Sequence, residues 1–186
     1  MTQLNNLSDL RVDDILVVPT FGLCRIIRIE KCTRYEHRDT YVTFTAYGSD
    51  VTGTITIPFT KFPTQGVRWP VNPGRMLEVL EHLCDARRKI SRNPHTRERH
   101  FRQQLSHTDP QELAECVRDL WVPEDSERSY LNIDIYEQAL DRLAREVAFV
   151  FNEPKQGVRG KLESIIANRQ PPEELFGSNA KAVSEQ

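Results

Sequence analysis

Cysteine and histidine side chains offer metal binding and nucleophilic chemistry, and the chain has four cysteines and five histidines. No CxxC pair and no zinc-type histidine spacing occurs around the cysteines, which are Cys24, Cys32, Cys84 and Cys116. Cys84 follows His82 by two residues, and on a helix such side chains diverge, so they make no nucleophile–base pair. We therefore expect reduced thiols that pack mostly as small apolar side chains in a cytoplasmic protein.

Signature motifs of enzymes are absent from the sequence. It has no P-loop, no GxGxxG after a strand, no GxSxG and no HExxH. His95 and His100 lie among arginines, where a metal ion is disfavoured. We therefore expect no catalysis, no metal, no cofactor and no small-molecule substrate. An enzyme of an unrecognised class is kept as an alternative to the two binding functions given below.

A single run of cations dominates the charge pattern. Residues 87–102 hold seven bases against one acid, a net charge of +6, whereas residues 103–153 sum to −8 with twelve acids and four bases. We call these seven bases the basic block: Arg87, Arg88, Lys89, Arg92, Arg97, Arg99 and Arg102. Such a run predicts either a polyanion contact or an ordinary solvated face, and both interpretations stay open at this point.

The first third of the chain has the pattern of strands. Apolar or alternating runs at 15–19, 23–32, 40–47 and 53–58 are rich in β-branched residues, with short turns between them. Residues 66–68 suit a very short fifth strand. Four strands in about fifty residues with no helix between them predict a small antiparallel barrel.

The remainder has the pattern of helices. Apolar residues at helical spacing follow Pro73, Asp109, Asn132 and Pro154, and a short helix is expected over 96–105. These stripes predict a compact helical bundle. The fold class is therefore α+β in two domains, a β-barrel at 8–70 and a helical domain at 72–169. Residues 170–186 are expected to be a mobile tail, and no segment is long and apolar enough to cross a membrane.

Several motifs follow one another in a fixed order. They are Leu10–Ile26 with its Val-Val-Pro run, Thr54–Pro58, Gly66–Arg68, Leu113–Leu120 (Leu-Ala-Glu-Cys-Val-Arg-Asp-Leu) and Ala139–Ala148. Their order and spacing resemble the CarD/CdnL family of bacterial RNA polymerase-binding regulators. The resemblance covers about residues 8–168.

The resemblance implies a function and a fold. The family's N-terminal domain is a Tudor-like (SH3-like) barrel that binds the β subunit of RNA polymerase, and its helical domain touches promoter DNA through a basic patch. On this chain we expect the polymerase contact at an exposed strand edge of the barrel, with Arg25, Arg28 and Thr56 as candidates against an alternative as ordinary solvent-facing strand residues. We expect the basic block and His95 to include the DNA contacts, without sequence specificity, although Arg87 and Arg88 could instead cap the helix that begins at Pro73. The implied location is the cytoplasm, associated with the nucleoid through polymerase.

The chain departs from the family pattern at a few positions. Asp13 and Val18 stand where the family has glycine and tyrosine. A family tryptophan that wedges into the minor groove would fall near Pro94 or His95, and it is missing, since the chain has only Trp69 and Trp121. The leading hypothesis is a CarD-like regulator with a weakened wedge. The alternative is an interaction module that docks on polymerase or another partner without a DNA role.

Overall fold

A computed structural model of the chain describes residues 4, 6–34, 37–48, 53–91, 93–122 and 130–184. The chain divides into two compact units, Met1–Pro70 (unit 1) and Val71–Gln186 (unit 2). Strands lie in unit 1 and the longer helices in unit 2, so the α+β class that the sequence predicts is confirmed. None of the described helices has the length and apolar character needed to cross a membrane.

Unit 1 contains an antiparallel sheet whose strands follow sequence order. They are β1 (Ile15–Val18), β2 (Gly22–Arg34), β3 (His37–Ala46) and β4 (Thr54–Pro58). β2 pairs with both β1 and β3, and β4 pairs with β3. The register shifts between Ile26 and Arg28, so Ile27 is an extra residue in β2 and remains 42% exposed.

One face of this sheet forms the core of unit 1. Alternate residues of the strands, among them Ile26, Val42 and Phe44, are fully buried together with Phe62. Phe62 belongs to the short helix α1 (Phe62–Gln65), which follows the 3-10 turn Phe59–Lys61. The other face carries polar side chains such as Thr43 and Thr56, but Val17, Leu23 and Tyr41 on that face are also buried.

The expected fifth strand is reduced to one bridge. Gly66 ends α1 with a φ of 73°, a left-handed conformation that glycine adopts without a steric penalty. The chain then turns so that Arg68 pairs with Val17, with N–O distances of 2.8 and 3.1 Å in the two directions. The edge of β1 is therefore partly covered.

Unit 2 is built from six helices among the described residues. They are α2 (Pro73–Glu81), α3 (Pro94–Ser106), α4 (Pro110–Leu120), α5 (Tyr130–Val150), α6 (Lys155–Asn168) and α7 (Pro172–Ser184). Their apolar stripes share one continuous core, which includes Met76, Val117, Tyr136 and Leu162. α3 begins two residues earlier than the sequence predicts, because Asn93 caps it and Pro94 opens it.

The C-terminal segment differs from the mobile tail expected from residue 170 on. It contains α7, whose Phe176 is 1% exposed and stacks on Phe151 with ring centroids 4.9 Å apart. Lys161 donates to the carbonyl of Leu175 at 3.2 Å, and its ammonium lies 4.8 Å from the Phe176 ring. These contacts come from distant residues, so the local composition of the segment does not reveal them.

Candidate nucleic-acid interface

The basic block lies on two parts of unit 2. Three of its residues belong to a segment without helix or strand that follows α2, residues 86–91, here called the basic segment. Three others lie on α3. Arg92 falls outside the described residues. The two parts differ in which of their cations form ion pairs with carboxylates.

Arg88 in the basic segment is held by two carboxylates of α4. Its Nε donates to Oδ2 of Asp119 at 2.7 Å, and its Nη1 lies 2.8 Å from Oε2 of Glu115. Its backbone N–H donates to Oδ1 of Asp119 at 3.2 Å. The charge of Arg88 is therefore balanced within unit 2, although 45% of its side chain is exposed.

Asp119 also joins this segment to the end of α2. Its side chain is 2% exposed, and its Oδ1 accepts a second hydrogen bond from Nε of Arg118 at 2.8 Å. Nη1 of Arg118 donates to the main-chain carbonyl of His82 at 3.2 Å, just after α2 ends. Burial alone would raise the pKa of Asp119, but hydrogen bonds from Arg118 and Arg88 outweigh burial and lower this pKa below its ordinary value.

Arg87 stacks on an aromatic ring, a contact that leaves its positive charge in place. Its guanidinium carbon lies 5.3 Å from the ring centroid of Trp121, a cation–π contact. Trp121 itself is partly buried against the core of unit 2. Lys89 is exposed.

The first turn of α3 lies beside the basic block and is capped by Asn93. Oδ1 of Asn93 accepts from the amides of His95 and Thr96 at 3.0 and 3.3 Å. Pro94 and His95 are both exposed. The positive end of the helix dipole lies here, which favours anions near His95.

The three arginines of α3 do not share one face. Phe101, Gln104 and Leu105 are buried, so their side of the helix faces the core. Arg99 lies about 200° around the helix from Phe101 and is exposed. Arg102 is exposed but pairs with Glu98 at 2.8 Å.

Arg97 occupies the flank of the buried side of α3. It is partly buried, and its Nε is enclosed without a hydrogen-bond partner. Among the residues that the structure describes, no carboxylate lies within ion-pair distance of the exposed Arg87, Lys89 and Arg99. We call these three the unbalanced cations.

The residues predicted to contact polymerase share the polar face of the sheet in unit 1. Arg28, Thr43 and Thr56 lie side by side across β2, β3 and β4. Oγ1 of Thr56 is 3.0 Å from Oγ1 of Thr43, and Arg28 pairs with Glu30 at 2.6 Å. Arg25 lies in the neighbouring row.

Arg25 is exposed, and its guanidinium carbon lies 5.4 Å from the ring centroid of Tyr47. The structure thus brings all three predicted residues onto one face, with Thr56 on the end strand β4 and the two arginines on β2. They lie in unit 1, whereas the basic block lies in unit 2.

Two residues of the interface were missed by sequence reasoning. Asp119 lies three residues after the buried Cys116, so helical spacing already placed a carboxylate beside an apolar stripe. That position was a signal for a buried ion pair. The stacking of Arg87 on Trp121 had no signal in the sequence, because a loop conformation sets it.

Metal chemistry has no candidate site in the described parts of the chain. No group of three or more His, Cys, Asp or Glu side chains there is arranged to hold a metal ion. The four cysteines are free thiols, and Cys24 and Cys116 are buried.

Unit 2 is similar to a known protein domain. The family model of the CarD C-terminal domain matches residues 78–163, from α2 into α6. No curated protein matches the chain. The matched range contains the basic block, Asp119 and most of the helical core, and it agrees with the motif resemblance. The match over residues 78–163 and the order of the motifs together support membership of the CarD/CdnL family.

Proposed function

We propose that this CarD-family protein regulates transcription by binding the β subunit of RNA polymerase through unit 1 and promoter DNA through unit 2. In this proposal residues 8–70 form a Tudor-like polymerase-interacting domain and residues 72–169 the DNA-contacting domain. The protein would act in the cytoplasm at the nucleoid, without catalysis. Family membership supports a role in transcription, and the remaining steps rest on the arrangement of charges described above.

The observation that supports DNA contact is the set of unbalanced cations, Arg87, Lys89 and Arg99. Phosphate contacts require cations whose charge is not already neutralised and which water, and therefore DNA, can reach. Nothing in the arrangement resembles a bidentate base-reading pattern, so binding is expected to be independent of sequence. With three phosphate contacts, log K should fall with log salt at a slope of about −2.7.

Fluorescence anisotropy of the full chain with a 30-base-pair duplex, measured over a salt series, tests this contact. Arg99→Ala should weaken binding and reduce the magnitude of the slope by about one. Arg102→Ala is the matched control on the same helix, and because Arg102 is paired with Glu98 it should change the slope less. Equal slopes for wild type and Arg99→Ala would contradict a phosphate contact at Arg99.

The polar face of the sheet supports the polymerase contact. β4 is the last strand in the sheet order, and end strands offer aligned backbone donors and acceptors to a partner strand. Arg25 and Arg28 lie on β2, on the same face as Thr56 but one strand away from β4. Both are exposed cations that suit an acidic partner surface, although Arg28 would have to exchange its pairing with Glu30.

Capture of the isolated β subunit by the full chain tests the polymerase contact. Arg25→Glu and Arg28→Glu together should weaken capture about tenfold or more, as expected for charge reversal at an interface. Arg11→Glu is the control, since Arg11 is an exposed arginine outside the strands. Undiminished capture by the double variant would move the contact away from this face.

The alternative function, an interaction module without a DNA role, predicts a different combination of results. In that case the β subunit, or another partner, is captured while the duplex does not bind at any salt concentration. The two assays together therefore separate the two functions.

A further inference from the structure

We infer that Asp119 positions the basic segment, holding Arg88 as an internal clamp that orders the segment and leaves Arg87 and Lys89 to contact phosphate. The inference rests on the proposed function and deepens it, because it assigns different roles to adjacent arginines of the basic block. It concerns unit 2 alone.

The Asp119 carboxylate is the centre of the clamp. The carboxylate of Asp119 accepts from the backbone N–H of Arg88, from Nε of Arg88 and from Nε of Arg118, at 3.2, 2.7 and 2.8 Å. Because it captures both the backbone and the side chain of Arg88, it fixes the chain direction at that residue. Arg118 ties the same carboxylate to the end of α2 through the carbonyl of His82.

DNA phosphate competes poorly with Asp119 for Arg88. If the Arg88 side chain turned outward, Asp119 would lose the 2.7 Å hydrogen bond from its Nε, and the carboxylate that lost this guanidinium is only 2% exposed. A buried charge left without its partner is strongly unfavourable. Arg102 provides a contrast, since its partner Glu98 is 31% exposed and such an (i, i+4) surface pair is weak.

Arg87, the neighbour of the clamp in the basic segment, is held by the end of α4 as well. Arg87 adjoins Arg88 directly and rests over Trp121, the residue that follows α4 and comes two positions after Asp119. Stacking on an indole restrains a guanidinium without neutralising it. The end of α4 therefore holds the basic segment at two consecutive residues, one balanced and one charged, and ordering in advance lowers the entropic cost of binding.

The test compares two substitutions that remove one negative charge each. Asp119→Asn removes the clamp, so DNA affinity of the full chain should fall roughly fivefold to tenfold, even though the protein becomes more positive. Glu98→Gln releases Arg102 and should raise affinity. A rise in affinity for Asp119→Asn would show that Asp119 merely suppresses a phosphate contact by Arg88, and it would overturn the inference.

Arg88→Ala gives a second readout that survives if Asp119→Asn fails to fold. The clamp predicts weaker binding with an unchanged salt slope, because no phosphate contact is lost. A slope smaller in magnitude by about one would make Arg88 a phosphate contact and contradict the inference. Arg88→Lys should not restore affinity, since lysine cannot donate to Asp119 and Glu115 as the guanidinium does.

Amide hydrogen exchange separates failure of this inference from failure of the proposed function. The Arg88 amide should be protected in the wild type by its hydrogen bond to Asp119 and lose protection in Asp119→Asn. In Arg88→Ala, where that acceptor remains, the protection at residue 88 should fall by a smaller factor, through loss of the side-chain bonds that order the segment. If the wild type does not bind the duplex, the DNA function and the positioning role fail together, and exchange still shows whether the clamp orders the segment. An unprotected Arg88 amide in a DNA-binding wild type would overturn only the inference.

Discussion

At the scale of single residues, burial governs the chemistry of Cys116. Its side chain is fully buried on α4, and burial, with a smaller effect from nearby Asp119, raises the pKa of its thiol to about 12. Since only the thiolate reacts, Cys116 should resist a thiol reagent at pH 8 in the folded protein. Cys32 is partly exposed on β2 and should react first.

Thiol titration before and after denaturation checks this prediction. Cys32→Ser should remove the fast-reacting thiol, whereas Cys116→Ser should leave the native count unchanged. Labelling of Cys116 in the native protein at the rate of Cys32 would show that α4 opens readily.

The lowered pKa of Asp119 predicts how stability depends on acid. A carboxyl whose pKa is lower in the folded state stabilises the fold above the unfolded pKa of about 3.9, and this contribution is lost as pH falls through the folded pKa. The unfolding free energy should therefore lose this contribution only below about pH 4. At pH 7, Asp119→Asn should cost about 1–3 kcal/mol.

Urea unfolding followed by circular dichroism at pH 7, 5 and 3 measures this dependence. The difference between wild type and Asp119→Asn should shrink at the lowest pH. A constant difference across the series would show that the carboxylate charge of Asp119 contributes nothing to stability. Glu98→Gln serves as the control for a partly exposed pair.

At the scale of elements, α7 is a structural part of unit 2. Phe176 is 1% exposed, so Phe176→Ala should lower the unfolding free energy by about 3 kcal/mol through lost burial and a residual cavity. Phe149→Ala provides the matched control, because Phe149 is 37% exposed on α5 and should cost less than about 1 kcal/mol. Equal effects in denaturant unfolding would mean that α7 does not dock in solution.

The strands and most helices could be predicted from sequence because their signals are local. Alternating apolar residues marked β3, and Asp109 with Pro110 marked the start of α4. α7 was not predicted, because Phe176 and Ala180 acquire their burial from distant parts of unit 2, and a search for local apolar density overlooks them.

For the candidate interface, the sequence predicted which charged residues cluster but not which of them are paired. The sequence showed seven clustered bases, yet charge counting could not tell that Arg88 is balanced by Asp119 and Glu115 while Lys89 is not. Partners that lie some thirty residues apart are brought together by tertiary packing of α4 against the basic segment. The face that each α3 arginine occupies followed from helical periodicity, which was available from the sequence.

At the scale of the whole molecule, the proposed DNA role, on a chain without a tryptophan at the family's wedge position, predicts a weak effect on promoter opening. An aromatic wedge offsets an unstacking cost of about a few kcal/mol, and Pro94 or His95 covers less area than an indole. The open-complex lifetime should lengthen with His95→Trp or Pro94→Trp. His95→Trp is the gentler substitution, since Pro94 opens α3.

The lifetime measurement needs polymerase binding as its control. Capture of the β subunit should be unchanged in both variants, because the substitutions lie in unit 2. If the wild type already prolongs the open complex as strongly as a tryptophan-bearing relative, another group has replaced the wedge.

The position of the two tryptophans gives the protein an intrinsic optical reporter in each half. Trp69 packs against the core of unit 1, and Trp121 lies beneath the Arg87 guanidinium in unit 2. A phosphate bound at Arg87 would change the surroundings of the Trp121 indole and leave those of Trp69 as they were. In a Trp69→Phe protein, the emission of Trp121 should therefore shift on adding duplex DNA, and Arg87→Ala should abolish the shift, so that DNA binding by unit 2 can be followed without any attached dye.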